Sequence, residues 1–313
     1  MHKIFKLNQN VTRKMGIIVS LLLLILIFSI LSPNFFSKRN MINILQQTSI
    51  NGVVALGMTF VIIIGGIDLS VGSIVALVGM VMAQNLVGGM NVSSAIILGL
   101  VSGLFLGFIN GIVIAKLKLQ PFLVTLGTMS VYRGLTLIIS NGLPVRNLPK
   151  PFSRILNAWN AYIPVPIVVL IVLTIICVYI IRCKKYGQHL FALGGNEEAT
   201  RLSGINVDYV KILTYSLSGL FCAFAAVIFL GRLGAADPQA GNGYEMTAIA
   251  SAAIGGASLM GGKGSIVGTI IGALILATLS NGLIILNVQS YYQTLAIGLI
   301  IILATILDRY SSK

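Results

Sequence analysis

The sequence predicts an all-α integral membrane protein of about ten transmembrane helices with inverted internal repeats. Composition is the first reason: 57% of the 313 residues are hydrophobic and only 9% are charged, whereas about 25% of residues are charged in soluble domains. A mean hydropathy of +0.98 leaves too little polar surface to cover a water-soluble globule. The spacing of the apolar runs and a likeness between the two halves are the other reasons.

Ten apolar runs have roughly the length that a helix needs to cross about 30 Å of hydrocarbon at about 1.5 Å per residue. The run at 245–261 is rich in Ala, Gly and Ser and contains Glu245, so it could be a broken or re-entrant element. The ten runs are 15–31, 43–65, 70–88, 94–115, 121–139, 163–182, 208–230, 245–261, 264–286 and 290–307.

These runs divide the chain into an N-terminal tail (1–14), a polytopic transmembrane domain (15–308) with a large loop at 183–208, and a C-terminal tail (309–313). No small-x-small cleavage site follows the first run before Pro33, so we expect a retained helix instead of a signal peptide. With ten spans both termini lie on one side. That side receives 14 Lys and Arg residues and the other receives 7, which predicts cytoplasmic termini.

Two pairs of segments indicate an internal repeat. The stretch 51–66 resembles 217–232, and Asn110-Gly111 with Thr125 resembles Asn281-Gly282 with Thr294. The offset is five helices, and an odd offset turns the second unit upside down. Inverted repeats of this kind build transporters whose central pathway lies between two symmetric halves.

Several functional classes are excluded or disfavoured. The net charge of +14 is spread over short segments between apolar runs and forms no continuous basic face, so no nucleic acid is expected to bind. Cys177, Cys183 and Cys222 lack metal-ligand spacing. The stretch 260–265 ends in Gly-Gly-Lys-Gly-Ser, which departs from a phosphate-binding loop because Gly follows the lysine. The chain is expected to hold no cofactor, and any ATP-Mg must be bound by a partner.

Glycines repeat every four residues in two of the runs, which places them on one helix face. Such a face lets another backbone approach closely within lipid. Packing inside one subunit is favoured over a contact between subunits. The glycines are Gly99, Gly103, Gly107 and Gly111 in the fourth run, and Gly264, Gly268 and Gly272 in the ninth.

Asp68 is one of only seven acidic residues and interrupts an otherwise apolar stretch. The favoured interpretation is a cap for the helix that starts near Ser70, and a substrate or proton role is the alternative. Other polar residues in apolar runs either bond neighbouring helices or line a pathway. The candidates for a pathway or a helix break are Asp68, Ser70, Asn110, Gln120, Thr125 and Asn281.

The large loop at 183–208, called the inner loop below, is predicted to contain a two-turn helix outside the bilayer. Asn196 can cap it, Glu197 and Glu198 suit its first turn, and Gly204 can end it. With Ala199, Leu202 and Ile205 on one side, this helix could fit a groove on a partner. An amphipathic helix resting on lipid headgroups is the equally weighted alternative.

Three long motifs resemble the membrane permease of ribose-type ABC importers. Residues 65–73 read Gly-Gly-Ile-Asp-Leu-Ser-Val-Gly-Ser, residues 192–207 read Ala-Leu-Gly-Gly-Asn-Glu-Glu-Ala-Thr-Arg-Leu-Ser-Gly-Ile-Asn-Val, and residues 261–269 read Gly-Gly-Lys-Gly-Ser-Ile-Val-Gly-Thr. The likeness runs from about residue 32 to 308. It implies a permease domain over 15–308, in a bacterial cell membrane, that moves ribose or a related monosaccharide by alternating access.

The resemblance also implies partners: a second permease copy, a cytoplasmic ABC ATPase and an extracytoplasmic sugar-binding protein. The permease itself would catalyse no covalent step and would not be an enzyme. The inner loop would contain the helix that docks in the ATPase. The coupling residues would be Gly194, Asn196, Glu197, Glu198, Ala199, Arg201, Ser203, Gly204 and Ile205.

An ion-coupled secondary transporter that acts alone is the competing class. Such proteins usually keep acidic or histidine residues at mid-membrane for ion coupling. Here His2 and His189 lie outside the apolar runs, and Asp68, Asp237 and Glu245 lie near their ends. The sequence therefore favours the ATP-driven class.

Overall fold

A computed structural model describes residues 2–152 and 164–311, and all the regular secondary structure within these two ranges is α-helical. One isolated antiparallel bridge joins Val145 to Ala236. The helices are α1 (His2–Leu31), α2 (Lys38–Ile63), α3 (Val71–Val87), α4 (Val92–Lys116), α5 (Pro121–Ser140), α6 (Val165–Cys183), α7 (Lys185–Gly195), α8 (Glu197–Leu202), α9 (Val207–Leu233), α10 (Tyr244–Ile254), α11 (Ile266–Ile285) and α12 (Ser290–Ser311).

Local chemistry explains where many of these helices begin. The first turn of a helix leaves backbone N–H groups without internal partners, and a side-chain oxygen just before it can accept from them. Five helices start in this way, with N–H···O distances of 2.8–3.3 Å. The capping residues are Ser37, Asn91, Asn196, Asn206 and Ser265.

Among the described residues, six helices, namely α2, α4, α5, α6, α9 and α11, are long and apolar enough to cross a membrane, and three shorter apolar helices lie at Met15–Leu31, Val71–Val87 and Ser290–Leu303. The prediction of a multi-pass helical protein is therefore confirmed. The count of ten spans stays a prediction, because the remaining element, α10, is much shorter than the run from which it was expected.

The predicted span at 245–261 is wrong in its length. Helix α10 has 11 residues and ends at Ile254, so it covers about 16 Å at about 1.5 Å per residue, roughly half of the hydrocarbon thickness. Gly256, Gly261 and Gly262 follow it with φ of +92°, +86° and +72°. Left-handed backbone of this kind ends a right-handed helix. Residues 255–265 form turns instead of a further two turns of helix.

The terminal helices are longer than expected. Helix α1 begins at His2, so residues 2–14 are helical and continuous with the first apolar segment; that they form a cytoplasmic tail stays a prediction. No proline or glycine occurs between His2 and Lys14 that would stop the helix from continuing. Helix α12 similarly continues to Ser311, beyond the expected boundary at residue 308.

Helix α2 lies at the centre of the molecule, and its 18 buried residues extend from Asn40 to Ile63. It packs against α6, α9, α10 and α11, while α9 also packs against α3 and α4. Helices α4, α5 and α6 carry outward rows of exposed apolar side chains, such as Ile97, Phe105, Leu123 and Ile175. Because lipid is as apolar as these side chains, such rows are what a membrane-facing helix surface requires.

The glycine face of α4 lies along α9. A Cβ atom built on Gly103 would lie 2.6 Å from the backbone oxygen of Gly219, and one on Gly107 would overlap the carbonyl oxygen of Tyr215. Further along, Gly111 faces Ile212 and Gly99 faces Met82 of α3. Only glycine allows backbones to approach this closely. All four glycines of this stripe therefore contact helices of the same subunit.

The glycines near α11 have the same kind of neighbours. Gly268 and Gly272 lie against the backbone of Gly255 and Ser251 at the end of α10, and Gly264 lies against the side chain of Ile63. Within the described residues, both glycine series thus pack helices of one chain together.

Candidate functional site

Two sites emerge from the polar residues: a buried hydrogen-bond network around Asp68, and the exposed helix α8 with the backbone on which it rests. Asp68 lies in the turn between α2 and α3 and is fully buried. Its Oδ1 accepts from the Ser70 backbone N–H at 3.0 Å and from the Ser70 hydroxyl at 2.6 Å. Its Oδ2 accepts from the Ser218 hydroxyl of α9 at 2.9 Å. A buried carboxylate needs partners of this kind.

The network continues from Ser70 into two further helices. Asn110 of α4 donates its amide to the Ser70 hydroxyl oxygen at 2.8 Å. Tyr132 of α5 donates to the Asn110 oxygen at 3.2 Å and to the carbonyl of Leu106 at 3.0 Å. We call Asp68, Ser70, Asn110, Tyr132 and Ser218 the Asp68 network. It ties the start of α3 to α4, α5 and α9.

Thr125 attaches the same turn to α5 by a separate contact. Its hydroxyl is buried and lies 3.1 Å from the Ile67 carbonyl oxygen and 2.9 Å from the Pro121 carbonyl oxygen.

Two of the other predicted pathway residues lie elsewhere. Gln120 is exposed just before α5, and Asn281 lies on α11, where its Oδ1 has no hydrogen-bond partner within the described residues.

The expected capping role of Asp68 describes only part of its contacts. The carboxylate does accept from the Ser70 N–H, but Ser70, the residue preceding α3, makes no capping bond with its own side chain. The bond to Ser218 instead connects two segments that are 150 residues apart in sequence. The chemistry of the network is therefore mainly that of a crosslink between helices, and a role in a pathway stays a prediction.

The second site is the predicted two-turn helix of the inner loop, which is α8. The Asn196 side chain accepts from the Ala199 N–H at 2.8 Å, and Gly204 follows the helix with φ of +80°. Ala199 is exposed, and Leu202 is 84% exposed. Ile205 instead turns inward and packs against the main core. Two of the three expected apolar residues thus face away from the protein.

Ion pairs attach α8 to the helices behind it. Lys211 of α9 lies 2.8 Å from both oxygens of Glu197, and Arg201 lies 3.4 Å from Glu197 and 3.8 Å from Asp208. Asp208 also pairs with Lys116 at the end of α4, at 3.2 Å. Exposed pairs of this kind contribute only about 0–1 kcal/mol each. These pairs hold the end of α4 and the start of α9 close to α8.

The end of α7 rests directly on the backbone at the end of α2. Gly194 has no room for a side chain, because a Cβ atom there would overlap the Ile63 carbonyl oxygen and lie 2.5 Å from the Gly262 nitrogen. The Gly262 N–H in turn donates to the Ile63 carbonyl at 2.9 Å. The next residue, Gly195, is different, because a Cβ atom there would have nothing within 4 Å of it.

Comparison with known protein families assigns most of the chain to one family. The family model described as the branched-chain amino acid transport system permease component matches residues 40–305, which extend from α2 into α12. The chain belongs to this permease family. No solved structure gives a significant match.

Individual relatives of the permease cover almost its full length. The ribose import permease protein of Bacillus subtilis (strain 168) is 45% identical over 97% of this chain and 95% of its own length. That of Escherichia coli (strain K12) is 46% identical over 93% of this chain and 92% of its own. The D-allose transport system permease protein of E. coli (strain K12) is 41% identical over 96% of this chain and 93% of its own. The resemblance seen in the sequence motifs is thereby confirmed.

The structure of the permease brings together four of the six predicted polar residues, namely Asp68, Ser70, Asn110 and Thr125, at the turn between α2 and α3. Ser218 and Tyr132 were not among the predicted residues. Ser218 lies one residue before Gly219, the α9 glycine that faces α4. The position of a polar residue next to a closely packed glycine could have pointed to Ser218, but it could not have identified Asp68 as its partner.

Proposed function

We propose that this permease is the translocation subunit of an ATP-driven sugar importer, with D-ribose as the first candidate substrate. The observation that carries the proposal is the 45–46% identity to ribose import permeases over more than nine-tenths of the chain. The relative named for D-allose, at 41% identity, supports a monosaccharide as the substrate class. An ion-coupled secondary transporter is the alternative.

In the proposed mechanism, a cytoplasmic ATPase binds ATP-Mg and docks on α8. The exposure of Ala199 and Leu202 on a capped helix supports this role, because an apolar helix face left uncovered suits a groove on a partner. A second permease copy and an extracytoplasmic sugar-binding protein complete the proposed assembly. The sugar arrives from that binding protein, so the permease itself needs no tight sugar site.

Alternating access in this proposal takes place between two inverted repeats, in which α2, α3, α4 and α5 correspond to α9, α10, α11 and α12. The packing partners support this correspondence. Helix α3 packs on α4, α5 and α9, and α10 packs on α11, α12 and α2; similarly α2 packs on α11, and α9 on α4. The beginnings of the two short helices also meet, since Gly72 lies against the backbone of Gly241. A pathway between symmetric halves would pass this region.

Reconstitution of the permease in liposomes, together with the ATPase and the binding protein encoded by neighbouring genes, tests the function. We expect labelled D-ribose to accumulate when ATP is supplied on the ATPase side, and to stay outside when only a proton or sodium gradient is imposed. D-allose and leucine serve as competing substrates. Uptake driven by an ion gradient without ATP would contradict the proposal and favour the secondary transporter.

Orientation is a separate expectation, in which α8 and both termini are cytoplasmic. Single cysteines at Leu202, which is 84% exposed, and at Gln120, just before α5, should react with an impermeant maleimide only from the inside. A cysteine at Leu143, which is 67% exposed beyond the other end of α5, should react only from the outside. Cys177, Cys183 and Cys222 are first replaced by alanine. Labelling of Gln120→Cys and Leu143→Cys from the same side would disprove the topology.

A further inference from the structure

Three segments meet backbone to backbone where α7 ends. They are the end of α2 at Ile63, the end of α7 at Gly194, and the turn before α11 at Gly262. The Ile63 carbonyl accepts from the Gly262 N–H at 2.9 Å, and Gly194 fills the space beside both atoms, with no room for a Cβ. We call this contact of Ile63, Gly194 and Gly262 the glycine junction.

We propose that the glycine junction is the point at which movement of α8 enters the membrane-embedded helices, and that Gly194 is the positioning residue of this transfer. The inference rests on the proposed function, in which α8 docks on the ATPase. It adds the route by which a displacement would leave the inner loop, and it assigns that route to a backbone contact instead of to the ion pairs around α8.

The first part of the argument concerns stiffness. Only Asn196 separates α7 from α8, and its side chain is fixed by the bond to the Ala199 N–H. No side chain lies between Gly194 and the Ile63 carbonyl that could change rotamer and absorb a displacement. Close-packed protein contacts have low compressibility and transmit strain. The exposed ion pairs of Glu197 and Arg201 join flexible side chains in water, and so they are poor transmitters.

The second part concerns where a displacement would go. Ile63 ends α2, and the turn that follows contains Asp68, whose network holds the start of α3 and contacts α4, α5 and α9. Gly262 lies in the turn between α10 and α11, and Gly255 at the start of that turn packs against Gly268 of α11. The glycine junction therefore contacts both proposed repeats of the permease. A contact that changes a pathway between two repeats has to act on both of them.

Two neighbouring glycines give a matched test. Gly194→Ala introduces a methyl group that overlaps the Ile63 carbonyl, whereas Gly195→Ala introduces the same group into open space. In the reconstituted complex we expect Gly194→Ala to retain the ATPase through purification but to lose about tenfold or more in ATP-driven ribose uptake and in stimulation by loaded binding protein. Gly195→Ala should stay within about twofold of the unmodified permease in all three measurements.

Either of two results would overturn the proposed role of the glycine junction. If Gly194→Ala transports as well as Gly195→Ala, the close contact is not needed for coupling. If Gly194→Ala loses the ATPase itself, Gly194 shapes the docking surface and relays no movement. In both cases the proposed function stands as long as ribose uptake by the unmodified complex requires ATP, so the two failures are distinguishable.

If Gly194→Ala does not accumulate in the membrane, a crosslinking experiment tests the role of the glycine junction instead. Gly195 and Lys263 are exposed residues on the two sides of the junction. Cysteines at these two positions, in the background without native cysteines, are joined with a short flexible bismaleimide. Because the junction moves as one body, uptake should stay within about twofold of the two singly substituted proteins treated with the same reagent. A block of uptake that appears only on crosslinking would show that the segments separate, and the proposal would be wrong.

Discussion

Replacing Ala199 with arginine is expected to lower ATP-driven uptake strongly while leaving the permease folded and in the membrane. Ala199 is exposed on α8, and its N–H keeps the capping bond to Asn196 whichever side chain it carries. In the proposed complex the new guanidinium is forced into the contact between α8 and the groove of the ATPase. An unpaired buried charge costs about 3–5 kcal/mol, which corresponds to more than about a hundredfold in a docking equilibrium.

The measurements are ribose uptake and ATPase activity of the Ala199→Arg complex in liposomes. Uptake should fall, and ATP hydrolysis should lose its response to sugar-loaded binding protein, either because the ATPase has dissociated or because it stays bound without coupling. Met90→Arg is the control, since Met90 is exposed in the loop at the opposite end of the membrane helices. If Ala199→Arg transports and responds as Met90→Arg does, α8 is not the docking element.

Replacing Asp68 with alanine is expected to destabilise the permease more than any other single change in the polar network. Three buried donors lose their acceptor: the Ser70 N–H, the Ser70 hydroxyl and the Ser218 hydroxyl. Each buried donor without a partner costs about 1–3 kcal/mol. The serine hydroxyls can turn towards helix carbonyls and recover part of this, so a net loss of several kcal/mol and a clearly lower apparent Tm in detergent are expected.

Three further substitutions make this prediction specific. Asp68→Asn keeps one acceptor and should lie between Asp68→Ala and the unmodified protein, while Ser218→Ala removes one bond to the Asp68 carboxylate and should cost about 1–3 kcal/mol. Ser130→Ala is the control, because the Ser130 hydroxyl is exposed and donates to the Leu126 carbonyl of its own helix. An Asp68→Ala protein as stable as the Ser130→Ala protein would refute the structural role. If that stable protein no longer transported sugar, Asp68 would belong to the pathway.

The sequence was sufficient to predict features that depend on local composition. Apolar length located α2, α4, α5, α6, α9 and α11, and the spacing of Asn196, Glu197 and Gly204 located α8 almost to the residue. The same approach overestimated α10, because 245–261 is apolar throughout while the positive φ values of Gly256, Gly261 and Gly262 depend on the backbone that surrounds them. It also missed α7, because this helix has only 11 residues and its apolar side chains are flanked by Gly187, Gln188, His189 and Gly194.

Contacts between distant segments could not be predicted from a single sequence. Asp68 was recognised as a polar residue near a helix start, but its partner Ser218 lies 150 residues away. Gly194 was predicted to be a coupling residue, but the sequence could not show that it contacts the end of α2 and the turn before α11. Glycine gives no indication of which backbone approaches it, so the stripe on α4 predicted close packing without identifying α9.

The shortness of α10 has a consequence for how the protein is made. A segment of 11 residues is too short to enter the bilayer alone, and the turns at 234–243 and 255–265 on either side of it carry peptide groups that lipid cannot satisfy. Helix α10 can therefore occupy the membrane only when α2, α11 and α12 already surround it. Since α11 and α12 leave the ribosome after α10, this part of the protein can be completed only once α12 has been synthesised.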